Sequence, residues 1–211
     1  MRSTLATAVI LAAVLLTPAG LSAQTDAPDA LQAYREGRFP DAIQITRDEL
    51  AANPNNLDSY VVLGWSLNAL RRSQEAIDSS LRALQINQFD SRILQIIAEA
   101  HVVSGNAMEA LHYLERYVRV APTGAFIDWA YFAMGEILIE FGEYHRADIA
   151  ISASVYHNGR SAARWARLGH AREQVGEWVP ALEAYDRALQ LNPNLADAVS
   201  GRQRVRAAVD G

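Results

Sequence analysis

One spacing constrains this chain more than anything else in it. A short segment ending in alanine returns about every 34 residues. Gly37-Arg38-Phe39-Pro40-Asp41-Ala42, Gly105-Asn106-Ala107-Met108-Glu109-Ala110, Gly142-Glu143-Tyr144-His145-Arg146-Ala147 and Gly176-Glu177-Trp178-Val179-Pro180-Ala181 align. Arg71-Arg72-Ser73-Gln74-Glu75-Ala76 is a further copy that lacks the glycine. The alanines at 42, 76, 110, 147 and 181 lie 34, 34, 37 and 34 residues apart. Gly64, Ala98, Gly135 and Gly169 each stand twelve residues ahead of an alanine, and Pro54, Pro122 and Pro193 stand twelve behind one, with Gln88 and Gly159 as the exceptions. A unit this short cannot bury an apolar face by itself, so neighbouring units must stack.

Each unit reads as two amphipathic helices. Over 57–70 the apolar positions Tyr60, Leu63, Gly64 and Leu67 recur at steps of three and four, which places them on one helical face. Over 74–86, Ala76, Ile77, Leu81 and Leu84 do the same. Gly64 and Ala76 mark places where helix axes approach closely, and a larger side chain at Ala76 would overpack by roughly 1–3 kcal/mol. Gly37, Gly105, Gly142 and Gly176 suit the turn inside each unit, where a helix commonly ends in a left-handed residue. Asn53-Pro54 and Asn192-Pro193 end their units, because proline does not continue a helix. With 12 Gly, 7 Pro and half the residues hydrophobic, the composition fits an ordered, mostly helical protein.

The columns resemble the tetratricopeptide repeat. Residues 162–193 match that pattern best, with Trp165, Leu168, Gly169, Gly176, Ala181, Tyr185, Ala188 and Pro193, although Arg172 replaces the usual tyrosine. Residues 57–88 carry Tyr60, Leu63, Gly64, Leu67, Ala76 and Ala83 but have Gln88 where proline is expected. The resemblance implies an all-α fold: a right-handed superhelical solenoid of helix-turn-helix repeats. The expected repeats span about 29–56, 57–90, 91–124, 128–161 and 162–195, with a capping helix at 196–209. Pro28 should delay the first helix to about Asp29, and residues 122–128 should form a longer connection.

The start of the chain is read as an address. Arg2, an apolar run from Leu5 to Leu16 and a small-residue exit near Ala23 form a secretory signal pattern over 1–23. The run is shorter than the roughly 20 residues a membrane-spanning helix needs. The expected product is residues 24–211, exported to the periplasm or the exterior, with an uncleaved N-terminal anchor as the alternative.

Chemistry is largely excluded by what is missing. The chain has no Cys, and all 19 of its basic residues are Arg, so thiol chemistry, a Schiff-base lysine and a phosphate-loop lysine are impossible. No H-E-x-x-H, G-x-S-x-G, G-x-G-x-x-G or phosphate-loop sequence occurs. The net charge of -5 disfavours a general nucleic-acid binder. No catalytic residue, cofactor, metal or small-molecule substrate is expected.

The resemblance places the candidate partner-binding residues on the concave face. They are Tyr34, Arg35, Val61, Trp65, Asn68, Arg92, Gln95, Glu99, Trp129, Phe132, Glu136, Glu140, Arg167, His170 and Glu173. Some family members grip a C-terminal carboxylate with Lys and Asn. This chain has no Lys, so such a clamp is not expected. An aromatic and acidic groove favours a partner segment with apolar and basic residues. Residues 160–211 carry 8 Arg against 6 acids, and Arg160, Arg164 and Arg167 recur at helical steps. They form a candidate peripheral contact for anionic headgroups, or a solvated face with local carboxylate partners. Three roles remain open: an adaptor for envelope proteins, a fixed subunit of a large envelope machine, and an accessory factor or cryptic enzyme of cell-wall glycan metabolism.

Overall fold

The computed structural model describes residues 29–210. The signal segment 1–23 and Pro28 lie outside the described residues. Eleven helices follow one another: α1 (Ala30–Arg35) with α2 (Phe39–Ala52), α3 (Leu57–Ala69) with α4 (Ser73–Ile86), α5 (Ser91–Val103) with α6 (Ala107–Val120), α7 (Ile127–Glu140) with α8 (Tyr144–His157), α9 (Ala162–Gln174) with α10 (Trp178–Leu191), and a last helix α11 (Ala196–Asp210). There is no strand among the described residues. Consecutive helices pack on one another throughout, which makes the fold an all-α solenoid of stacked helix pairs.

Two turns alternate along the stack, and each has a side-chain logic. Within a pair, the first helix ends in a left-handed residue: Gly37, Gly105, Gly142 and Gly176 take φ of 76, 72, 72 and 80°. The next N–H then reaches back to a carbonyl of the last helical turn, as in Arg38 to Ala33 at 2.9 Å and Glu177 to Arg172 at 2.9 Å, which satisfies an otherwise orphaned carbonyl. Arg71 occupies this place between α3 and α4 at φ 57°, a conformation its Cβ makes unfavourable. Between pairs, an asparagine closes the turn. Asn53, Asn87, Asn158 and Asn192 each accept the N–H two residues ahead, at 3.2, 3.0, 3.4 and 3.2 Å. This column holds the 34-residue register more faithfully than the proline beside it, and Ala121 is its one gap.

That gap coincides with the irregularity of the stack. The connection from α6 to α7 runs over residues 121–126, whereas the neighbouring connections take 87–90 and 158–161. Phe126 donates its N–H to the Tyr117 hydroxyl at 3.3 Å and stacks on Trp129 with ring centroids 4.5 Å apart. First helices of neighbouring pairs lie side by side most closely at α1–α3, α3–α5 and α9–α11, and more loosely at α5–α7 and α7–α9, although Leu94 and Ala98 of α5 share a buried cluster with Ala130 and Ala133 of α7. The concave face opens at this seam.

Small residues set the remaining seams. A methyl added to Gly64 would lie 2.7 Å from Ile96 Cγ2, and one added to Gly169 would lie 2.8 Å from Tyr185 Cδ1. Gly135 abuts Ile151 in the same way, and Gly201 of α11 abuts the far side of Tyr185, which docks the last helix. At the centre, Ile93, Leu94, Ile96 and Ile97 of α5 are fully buried. Each such aliphatic side chain contributes about 1.5–3 kcal/mol on burial.

The turn geometry yields a paired expectation. Arg71→Gly relieves the left-handed strain and raises stability by about 0.5–1 kcal/mol, whereas Gly176→Ala lowers it by about 1 kcal/mol. Urea unfolding of both variants checks this. No change in either variant would show that the turns do not depend on backbone conformation.

Candidate functional site

The first helix of each pair presents its outer positions to the concave face, so the site is built from α1, α3, α5 and α7. Tyr34, near the end of α1, lies with its ring centroid 5.6 Å from that of Trp65 on α3. One turn beyond Trp65, Asn68 donates to the Ile96 carbonyl at 2.9 Å and to Glu99 Oε2 at 3.4 Å, which ties α3 to α5. Gln95 donates to the other oxygen of Glu99 at 3.3 Å. Trp129, held from behind by Phe126, forms the α7 wall. These residues enclose an open cleft of about 540 Å³ lined by Tyr34, Trp65, Asn68, Gln95, Glu99, Val102, Val103 and Trp129.

Val103 was not among the sequence candidates. It is 54% exposed, an apolar residue off the buried face of α5, and that mismatch between pattern and periodicity is the signal that could have found it. A smaller hollow of about 280 Å³ continues from the cleft past Val102, Trp129, Phe132, Glu136, Ile137 and Glu140.

The electrostatics of the cleft are unusual within the molecule. Several carboxylates along the first helices meet an arginine. Arg92 binds Asp58 and Asp90, each at 2.7 Å. Arg164 reaches Asp128 at 2.6 Å, Arg167 reaches Glu136 at 2.6 Å, and Arg204 reaches Glu173 at 2.6 Å. Glu99 has only the two amides. Burial pushes its carboxyl above the ordinary value, and the Gln95 and Asn68 hydrogen bonds only partly oppose that. For Glu173, burial pushes the same way but loses to the Arg204 and Tyr185 hydrogen bonds, which hold the carboxyl low. The Tyr185 hydroxyl donates to Glu173 at 2.5 Å.

Several sequence candidates fall elsewhere. Val61 is only 1% exposed and packs in the core with Ile93, Ile96 and Ile97, so it offers a partner almost no surface. Arg35 and Arg92 flank a hollow that adjoins the cleft across Tyr34 and Trp65, with Val61 at its base. Arg167, His170 and Glu173 on α9 are engaged with α7, α8 and α11: the His170 ring lies edge-on to Tyr144 at 6.2 Å, and burial lowers its basicity. The basic face expected from Arg160, Arg164 and Arg167 does not form. Arg160 precedes α9 in the connecting turn. The Arg164 side chain is 13% exposed, paired with Asp128 and laid over the Phe132 ring at 5.3 Å. Arg167 is matched by Glu136, so two of the three charges are neutralised locally.

Among the described residues, no group of three or more His, Asp or Glu side chains is placed to hold a metal ion, and no helix is long and apolar enough to cross a membrane.

Comparison with known proteins places the fold. Residues 162–195 match the family model for the tetratricopeptide repeat. A solved structure of MamA superposes with a TM-score of 0.70 at 20% identity, covering 80% of this chain and 97% of that one. YrrB, described as a tetratricopeptide-repeat protein with an unusual peptide-binding site, gives 0.71 at 19% identity over 82% of this chain and 88% of that one. PilF of Pseudomonas aeruginosa gives 0.69 at 16% identity over 86% and 81%. In sequence, the human O-mannosyl-transferase TMTC1 is 23% identical over 162 residues, which is 76% of this chain but 18% of the length of that protein.

The two half-buried glutamates should respond oppositely to neutralisation. Glu99 is raised when folded, so its ionisation weakens the fold as pH climbs above the ordinary carboxyl range. Glu99→Gln is therefore at least as stable as the parent at pH 7, and any gain fades as pH falls toward about 4.3. Glu173 is held low, so its contribution is present at neutral pH and is lost in acid. Glu173→Gln costs about 1–3 kcal/mol at pH 7, and the penalty shrinks as the parent protonates. Thermal melts across pH 3–7 (about one carboxyl titration) separate the two signs. A large loss in Glu99→Gln at pH 7 would contradict an uncompensated charge there.

Proposed function

We propose that this chain, a tetratricopeptide-repeat protein, is a non-enzymatic adaptor of the cell envelope that holds a segment of a partner protein in the cleft between α3, α5 and α7. The observation that carries the reading is the cleft itself: apolar walls from Trp65, Trp129 and Val103 around a polar centre at Asn68, Gln95 and Glu99. Aromatic side chains half-buried on a rigid concave surface are effective anchors, since they lose little freedom on binding. The peptide-binding site named for YrrB favours the same use of this fold. The envelope location rests on the signal pattern of residues 1–23. Mannosyl transfer is not carried over from the human relative, because the likeness covers 18% of that protein.

The outer face supports a second reading, a fixed subunit of a larger envelope assembly. Ile149 and Tyr156 of α8 are 71% and 86% exposed and lie seven residues apart, on one side of that helix. A block in a machine would use such a face, and its partner would remain bound in stoichiometric amounts.

Affinity capture from envelope extracts tests the adaptor. Trp65→Ala and Trp129→Ala should each weaken partner capture by about 2 kcal/mol, roughly thirtyfold, with the helical fold intact. Undiminished capture by both, together with loss in an Ile149→Ser and Tyr156→Ser variant, would transfer the function to the outer face. Fractionation of cells expressing the whole chain and a 24–211 version tests export. Equal cytoplasmic retention of both would remove the envelope assignment.

A further inference from the structure

We propose that the cleft seats one arginine side chain of the docked segment, with its guanidinium facing Glu99 and its plane against the surrounding aromatic rings. This rests on the adaptor reading and adds to it a specific chemistry at a specific residue.

Three observations converge. The first is the unmatched charge. Asp58, Asp90, Asp128, Glu136 and Glu173 each have an arginine partner within 2.6 or 2.7 Å, while Glu99, the carboxylate of the cleft, is held by amides alone. Glu140 in the adjoining hollow also lacks an arginine but is exposed to water, whereas Glu99 is partly buried. A carboxylate partly withdrawn from water without a cation is costly, and a cation delivered to it recovers more than it would at a fully wet site.

The second is what surrounds it. The cleft lining contains Tyr34, Trp65 and Trp129 and no cationic side chain, so nothing on the protein competes for the carboxylate. Indole faces attract cations, and the planar guanidinium both stacks on them and is weakly hydrated, whereas an ammonium holds its water more strongly.

The third is rigidity. Asn68 is tied to the Ile96 carbonyl, and Gln95 sits one helical turn before Glu99, so the carboxylate is fixed by donors on two helices. The protein repeats this arrangement internally: Arg164 pairs with Asp128 at 2.6 Å while its guanidinium carbon lies 5.3 Å from the Phe132 ring. That contact shows how an arginine is held between a carboxylate and a ring at a neighbouring place on the same face.

The test uses the whole chain and two synthetic peptides, acetyl-Leu-Arg-Leu-amide and its citrulline counterpart, which has the same shape without the charge. Binding is followed by indole fluorescence and by chemical shifts of the Trp65 and Trp129 indole N–H. The arginine peptide should bind about tenfold more tightly than the citrulline peptide. In Glu99→Gln that ratio should fall to about one with citrulline binding unchanged, and in Trp129→Ala both peptides should weaken. Equal affinity of the two peptides for the parent protein, no binding of either, or a ratio that survives Glu99→Gln would overturn the proposal. Loss of arginine preference without loss of partner capture by the intact groove would leave the adaptor reading standing. Loss of capture in Trp65→Ala and Trp129→Ala is what that reading depends on. A circular dichroism melt of Glu99→Gln matching the parent excludes unfolding as the cause.

Discussion

Helices can pair repeatedly here only because selected positions carry almost no side chain. Gly64 admits Ile96, Gly135 admits Ile151, and Gly169 and Gly201 clasp Tyr185 from two sides. Ala76, Ala110, Ala147 and Ala181 are fully buried at the equivalent place of each second helix. Close approach at these seams lets short helices bury large aliphatic residues against neighbours, which no isolated pair could do. The concave face is a consequence: first helices stacked side by side leave one flank without a covering layer.

The candidate cleft lies where that regularity lapses. Ala121 interrupts the asparagine column, the connection lengthens to residues 121–126, and α5 and α7 pack more loosely than α3 and α5 do. Phe126 fills the space behind Trp129 and fixes its ring at the new wall. Glu99 also lacks the cross-helix arginine that its counterpart Glu136 has in Arg167: with the three inserted residues counted, the place of Arg167 falls at Ala133. An inserted loop and a missing arginine thus produce one open, aromatic, negatively charged cleft.

Much of this was legible before the structure. The period, the glycine turns and the small-residue columns follow from steric demands that leave fixed marks in a sequence. The resemblance to the tetratricopeptide repeat implies that Tyr34, Trp65, Asn68, Gln95, Glu99 and Trp129 share the concave face, and the structure brings them around one cleft. Val61 lies almost wholly in the core because α3 is pressed against α5 along that side, a tertiary fact that helical phase does not carry. For the arginines of α9, local carboxylate partners are the alternative that the structure bears out at Arg164 and Arg167. Arg164 and Arg167 find their carboxylates on α7, 36 and 31 residues away, and a search for opposite charges one repeat apart would have shown it. The asparagine column was overlooked in favour of the more conspicuous prolines.

The central claim is that the break in the stack between α5 and α7 is where this protein holds its partner. Site-specific photocrosslinking in cells reads that directly. A photoreactive residue at Val103 lies in the cleft, and one at Tyr156 lies on the outer face. The account predicts a discrete adduct from Val103 that disappears when Trp129 is replaced by alanine, and none from Tyr156. A discrete adduct from Tyr156 with none from Val103 would contradict it.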